Sequence, residues 1–340
     1  MKKLVVGVIG VQMGRTHLKG LQKYGAEIGA ICDSHPGRLK EVGELFNIPE
    51  EKRYLNWHDV ANNPEIDVVL VVTPDQLHRE MVEEFLAKGK HVMCEKPLAL
   101  TREDLCAIIA AERKAKNRFM VGQICRFTPA FVKAKELVES GVIGELYFVE
   151  SEYAHDYMEI MQDPHGAWRL DPRRHGMVGG GCHAVDLLRW IAGDPEEVFG
   201  YGSHKLLPMV EYDDAAVAVM KFPDGVIGKV FASTGCKRDY TMRTCLYGTK
   251  GTIICDNKSE QMTVFHVDEN NKVIKPAEII PIEVNNHNAE KEFAVFADAI
   301  ENNKPILMTA TEGAKTVATC LAIVESTKTG IPTKPNYNFD

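Results

Sequence analysis

The opening third of the chain alternates short β-branched runs with helix-periodic segments, a rhythm that few architectures accept. Leu4 to Ile9, Ile28 to Ile31, Val68 to Val72 and His91 to Cys94 have the length and residue types of strands. Thr16 to Tyr24, Pro36 to Phe46, Asp75 to Lys88 and Thr101 to Lys116 repeat apolar residues at the helical period. Runs apolar on both faces, each followed by a helix, require a parallel sheet covered on both sides. The spacing therefore predicts a doubly wound α/β domain over residues 1–123.

From about Gly144 the rhythm changes. Glu145 to Tyr153, Val198 to His204, Ala215 to Phe222, Val226 to Ser233, Thr241 to Tyr247 and Gly251 to Cys255 follow one another as strands, and turns such as Pro223-Asp224-Gly225 favour antiparallel pairing. A helix at Cys182 to Ile191 interrupts them. Two more, Asn288 to Glu301 and Thr311 to Thr329, lead to the stop signal Gly330-Ile331-Pro332. Residues 124–340 are expected to form an α+β domain with a mostly antiparallel open sheet, whose C-terminal helix is a candidate to pack back on the first domain.

Composition enters as exclusion. Hydrophobic residues at 45% and charged residues at 26% suit a packed globular chain and rule out disorder as its main state. The net charge of -8, with basic residues scattered, argues against nucleic acid. Nine cysteines, odd in number and never spaced C-x-x-C, suit a reducing compartment rather than a disulfide framework or zinc ribbon. No apolar stretch approaches the ~20 residues of a membrane span. Met1-Lys2-Lys3 before Leu4 to Val11 resembles a signal peptide only superficially, because two glycines interrupt the apolar run. A cytoplasmic location is expected.

The first strand runs into Gly7-Val8-Ile9-Gly10-Val11-Gln12-Met13-Gly14-Arg15, a glycine-containing strand-to-helix turn of the kind that sets a pyrophosphate on a helix N-terminus. Against G-x-G-x-x-G the turn is one residue short: read from Gly10, the second and third glycines become Gln12 and Arg15. Asp33 ends the second strand about 20 residues later, where a carboxylate accepts both ribose hydroxyls and repels a 2′-phosphate, so NAD is favoured over NADP. The structural alternative is that Asp33 or Ser34 caps the helix opening at Pro36. The fourth strand ends at Cys94-Glu95-Lys96-Pro97, and ligands of open α/β sheets bind beyond that edge. A partly desolvated Lys96 exchanges a proton with a substrate hydroxyl; otherwise it is a lysine paired to a neighbouring glutamate.

Val72-Thr73-Pro74-Asp75, His78 and Gly89-Lys90-His91-Val92-Met93-Cys94-Glu95-Lys96-Pro97-Leu98-Ala99 resemble the glucose-fructose oxidoreductase, inositol dehydrogenase and rhizopine catabolism family, Gfo/Idh/MocA. Arg126-Phe127-Thr128-Pro129, Gly141-x-x-Gly144-Glu145, Trp168-Arg169 and Cys182-His183-Ala184-Val185-Asp186-Leu187 extend the resemblance over nearly the whole chain. It implies NAD(P)-dependent oxidation or reduction of a sugar, inositol or related polyol, and a homodimer or homotetramer through the exposed face of the second sheet. Cofactor contacts are expected at Gly10, Gln12, Met13, Gly14, Asp33, Thr73, Pro74, His78, Glu95 and Lys96, with Arg126, Trp168 and Arg169 beside them.

In that family the E-K-P lysine, here Lys96, acts as proton donor or relay, and a D-x-G-x-H motif places an Asp and a His beside the reacting hydroxyl. Here the motif reads Gly179-Gly180-Gly181-Cys182-His183, so His183 is kept and the carboxylate is absent. At the start of a helix His183 is held neutral, able to assist Lys96. Asp186, on the same helix face, either orients it or caps the helix. Arg126 holds a substrate hydroxyl or carboxylate, or makes a structural ion pair. Tyr153, His155 and Asp156 end a strand where family members place sugar contacts. Trp168-Arg169 either covers the nicotinamide or anchors its own loop. The histidines between 155 and 175 are too widely spaced for a zinc motif, and no metal is expected. The short turn and Gly179 keep two alternatives open: elimination or glycoside cleavage assisted by a tightly held NAD with no net redox change, and a non-catalytic dinucleotide or sugar sensor.

Overall fold

The computed structural model describes residues 3–340, so Met1 and Lys2, the start of the segment compared with a signal peptide, lie outside it. The chain divides into two compact units. One comprises residues 1–124, 287–314 and 338–340; the other comprises 125–286 and 315–337.

The first unit runs β1 (Val5–Ile9), α1 (Val11–Tyr24), β2 (Glu27–Cys32), α2 (Pro36–Leu45), β3 (Arg53–Tyr54), α3 (Trp57–Asn62), β4 (Val68–Val71), α4 (His78–Ala87), β5 (His91–Glu95), α5 (Arg102–Lys114) and β6 (Phe119–Gly122). Its six strands are all parallel in the order β3-β2-β1-β4-β5-β6, the doubly wound arrangement. Val68 to Val71 are buried at every position, as strands covered on both faces must be. The chain reverses direction of travel across the sheet between β1 and β4, and that switch point opens a crevice at the strands' carboxyl ends.

The second unit begins with α6 (Pro129–Glu139), β7 (Leu146–Ala154), α7 (Met158–Gln162), α8 (Gly176–Gly179) and α9 (Cys182–Ala192). Then come β8 (Glu197–Ser203), β9 (Ala215–Lys221), β10 (Ile227–Ser233), β11 (Thr241–Gly248), β12 (Gly251–Asp256), β13 (Gln261–His266) and β14 (Glu278–Pro281). These strands order as β14-β13-β12-β11-β7-β10-β9-β8, antiparallel except where β7 meets β10. Alternation in β9 buries Ala216, Ala218 and Met220 and exposes Val217 and Val219, so one face is core and the other is open.

The chain then returns to the first unit with α10 (Ala289–Glu301), whose N-cap Asn288 accepts a hydrogen bond from Lys291 N. Phe293 and Phe296 of α10 are fully buried, each stabilising the packing by roughly 2 kcal/mol. Helix α11 (Ala310–Thr329) starts in the first unit and continues in the second, ending at Gly330. No helix among the described residues is long and apolar enough to cross a membrane.

Candidate functional site

The glycine turn is as short as its sequence suggests. Helix α1 starts at Val11, directly after Gly10, five residues before the Thr16 read as its beginning. Gly10 takes φ +88°, and a β-carbon there would sit 2.4 Å from the carbonyl oxygen of Val72, so only glycine lets β1 and the end of β4 approach this closely. The first-turn N–H groups of Gln12 and Met13 have no carbonyl one turn back and head outward at the positive end of the helix dipole. Met13 is exposed and Gln12 partly so. Asp33 closes the turn from the side: its Oδ2 accepts from Val11 N at 3.1 Å, its Oδ1 from His35 N at 2.9 Å, and Nη1 of Arg38 reaches both oxygens. The N-cap of α2 is neither Asp33 nor Ser34 but His35, whose ring Nδ1 accepts from Arg38 N, because Pro36 opens the helix one residue later.

Beyond β4 and β5 lie Thr73, Pro74 and the E-K-P loop. His78 is wholly buried, its Nδ1 3.0 Å from the Pro97 carbonyl and its Nε2 3.2 Å from the Thr73 carbonyl. It therefore ties these two loops together. Glu95 accepts from His17 Nε2 at 2.8 Å and from Lys96 N at 3.0 Å. Burial alone would raise the Glu95 carboxyl, but the His17 hydrogen bond and the nearby Lys96 charge outweigh it and bring it down to about 2. The His287 imidazole is lowered by desolvation and then by the Lys96 charge.

Two residues of this cluster were not marked by the sequence reading. His17 and Glu292 lie on the apolar stripes of α1 and α10, between Gly14 and Leu21 in one case and Ala289 and Phe296 in the other. A lone titratable side chain on an apolar stripe is the signal that could have found them. Glu292 is fully buried with neither carboxylate oxygen hydrogen-bonded, and burial followed by the Glu95 charge holds its carboxyl well above the usual range.

In the second unit Tyr153 forms the centre of a polar aromatic group. Its hydroxyl is 2.6 Å from that of Tyr157 and 3.2 Å from His155 Nδ1, and its ring stacks on His183 at 5.8 Å. Tyr240 lies against both Tyr153 and His155. Burial raises the Tyr153 hydroxyl well above its ordinary value, so it stays protonated. His183 is the second residue of α9, and its Nδ1 is 3.2 Å from Cys125 Sγ. Asp186 neither orients His183 nor caps the helix. It accepts from Arg126 Nε at 2.7 Å and Nη2 at 2.8 Å, and from Thr316 Oγ1 at 2.8 Å, which commits Arg126 to a buried ion pair. Asp156 is likewise engaged, with Lys237 Nζ at 2.8 Å and Met158 N, and the Lys237 hydrogen bond lowers its carboxyl. Trp168 carries the guanidinium of Arg169 at 4.1 Å from its ring centre, and that of Arg174 at 4.7 Å. Arg174 fills the space beside Gly179, a contact the sequence reading did not single out.

Residues 4–123 match the model of an oxidoreductase family with an NAD-binding Rossmann fold, and residues 131–254 match the GFO/IDH/MocA C-terminal domain. A myo-inositol 2-dehydrogenase of Thermotoga maritima is 33% identical over 276 residues, 78% of either chain. A levoglucosan dehydrogenase of Pseudarthrobacter phenanthrenivorans is 26% identical over 270 residues, 70% of this chain and 68% of its own. Among solved structures, a levoglucosan dehydrogenase in complex with NADH superposes with a TM-score of 0.89 at 23% identity, over 98% of this chain and 100% of that one, a likeness of fold.

Proposed function

This chain belongs to the Gfo/Idh/MocA family of NAD-binding oxidoreductases, which act on CH–OH groups, and on that basis we propose that it oxidises a carbinol carbon of a sugar or inositol-like polyol with NAD. The observation that carries this reading is the end of β5, where His17 and the Lys96 N–H together fix Glu95, so that Lys96 emerges from a braced backbone beyond the sheet's carboxyl edge.

The residues fit a dinucleotide. The Gly10 cradle would be filled by any β-carbon, the exposed first turn of α1 suits a pyrophosphate, and Asp33 suits ribose hydroxyls. Bound NAD supplies the hydride acceptor. Lys96, as its neutral amine, takes the hydroxyl proton, and the Glu95 carboxylate behind it stabilises the ammonium that results. Within the second unit, His183, Tyr153 and His155 offer hydrogen-bonding groups of the kind that sugar hydroxyls take, and the indole of Trp168 gives an apolar surface. The open face of the second sheet, with Tyr201, Val219 and Ile227 exposed, supports a homo-oligomer, and the cysteine usage supports a cytoplasmic setting.

The test is titration with NADH and NADPH, followed by NADH production across a polyol panel. Tight NADH binding with turnover that Lys96→Ala abolishes, while NAD affinity stays within about tenfold, is the expected result. Full activity of that variant would remove Lys96 from the mechanism, and failure to bind either cofactor would remove the reaction.

A further inference from the structure

Resting on the dehydrogenase reading, in which His183 offers its imidazole to a sugar hydroxyl, we propose that Cys125 is the positioning residue of that histidine. Its sulfur holds the ring in the tautomer protonated on Nδ1, which leaves the lone pair on Nε2 and makes His183 a hydrogen-bond acceptor. In a neutral imidazole one nitrogen carries the proton and the other accepts, and the neighbour of the first decides what the second can do. No carboxylate stands at position 179, where glycine leaves room for Arg174: a β-carbon there would lie 2.3 Å from Arg174 Nη1. Asp186, three residues after His183, is engaged by Arg126 and Thr316.

Cys125 Sγ lies 3.2 Å from His183 Nδ1 and 3.5 Å from Met242 Sδ, and all three residues are buried. A thioether has no proton to give, so a hydrogen bond between the two sulfurs runs from the thiol to Met242. One thiol has one proton. If it goes to Met242, Sγ turns its lone pairs to Nδ1 and both contacts are hydrogen bonds, Nδ1–H to Sγ and Sγ–H to Sδ. If it goes to Nδ1, the Met242 contact is lost as a hydrogen bond. The first assignment makes more bonds in a place withdrawn from solvent, where an unmade one costs most. The register of the sheet holds the parts in place. Met242 on β11 pairs with Tyr153 on β7, Met242 N donates to Asn257 Oδ1 at 2.7 Å, and the Tyr153 ring stacks on His183 with 5.8 Å between centres. A β-carbon at Gly180 would lie 2.5 Å from Tyr153 Cε1, so the start of α9 rests close against that ring. The imidazole is thus held by its face on Tyr153 and by its Nδ1 edge on Cys125.

The tautomer is read by nitrogen NMR of protein carrying ring-15N histidine at about pH 8, above the ordinary histidine range. The His183 signals are those absent from His183→Gln, and the expected pattern is a proton on Nδ1 and none on Nε2. Cys125→Ala should move the proton to Nε2 and lower kcat for a polyol by about 10- to 100-fold, with NADH affinity within about twofold. Cys125→Ser should restore both, because its hydroxyl accepts from Nδ1–H and donates to Met242 as the thiol does. Met242→Leu keeps the volume but removes the acceptor of the thiol proton, so it should shift the tautomer in the same direction with Cys125 untouched. Melting curves of each variant separate a loss of fold from a loss of positioning. A wild-type His183 protonated on Nε2, or a tautomer and kcat unchanged in Cys125→Ala, overturns the inference; NADH production from a polyol in that case leaves the dehydrogenase reading standing. The NMR needs no substrate. An Nδ1 proton that moves in Cys125→Ala, in a protein that turns over no polyol, upholds the tautomer assignment and removes the dehydrogenase reading.

Discussion

His17 Nε2 donates to Glu95 Oε1 across 2.8 Å, which ties the first helix to the residue immediately before Lys96. Both side chains are withdrawn from solvent, with 4% and 16% of their surface exposed. Removing one member of a buried pair leaves the other uncompensated, so Glu95→Gln should cost roughly 3 kcal/mol at pH 7. Because the folded-state pKa of Glu95 is depressed to about 2, its contribution is complete above the unfolded value and disappears as pH falls towards 2. Urea unfolding of the two proteins should differ at pH 7, the gap narrowing below about pH 4 and closing as pH reaches about 2. A gap of the same size at both ends would mean that packing, not charge, holds Glu95.

Asp33 meets the glycine turn through Val11 N and meets Arg38 through both oxygens. Two opposed preferences follow from this one pair: the carboxylate favours a ribose 2′-hydroxyl, and the guanidinium could serve a 2′-phosphate if the carboxylate were gone. Wild-type protein should bind NADH more tightly than NADPH. Asp33→Ser should weaken NADH by about tenfold and weaken NADPH less, narrowing the ratio. Fluorescence titration of both cofactors checks this, and a wild-type preference for NADPH would contradict the role given to Asp33.

Arg126 and Asp186 form a two-point ion pair with Thr316 as a third partner, all inside the second unit. Arg126→Met or Asp186→Leu alone should destabilise by about 3–5 kcal/mol, since each strands a buried group. The double change Arg126→Met with Asp186→Leu should recover most of that loss. Double-mutant unfolding measures the coupling, and additive losses would show that the two residues act separately.

The architecture was legible because periodicity reports burial directly: strands apolar on both faces and amphipathic helices alternate in β1 to α5, and strand–turn–strand spacing marks β9 and β10. β3, with two residues, and β13 with the edge strand β14 are too short or too exposed to carry that signal. The position of Lys96 followed from where β5 ends, and the shortened turn from the glycine count. The partners did not follow. His17 lies 78 residues from Glu95 and Arg126 lies 60 from Asp186, and nothing local in the chain states which buried groups meet. Arg174 is hidden for another reason: its place is set by what Gly179 lacks.

Glu292 provides the sharpest pH test, because its two oxygens are buried without hydrogen bonds and it lies within the field of Glu95. Burial and that negative charge raise its folded-state pKa above the unfolded one. The folded state therefore holds a proton that the unfolded state releases, and stability falls as pH rises from the unfolded value of about 4.3. Glu292→Gln removes the ionisation and keeps the shape. The variant should melt with the wild type at pH 4, where both states hold the proton, and above it at pH 7 to 8, by a few degrees if the gain is about 1–2 kcal/mol. In a Glu95→Gln background the advantage should shrink, because the smaller of the two causes is gone. Melting curves that stay parallel from pH 4 to pH 8 would show that Glu292 does not hold a proton in the folded protein.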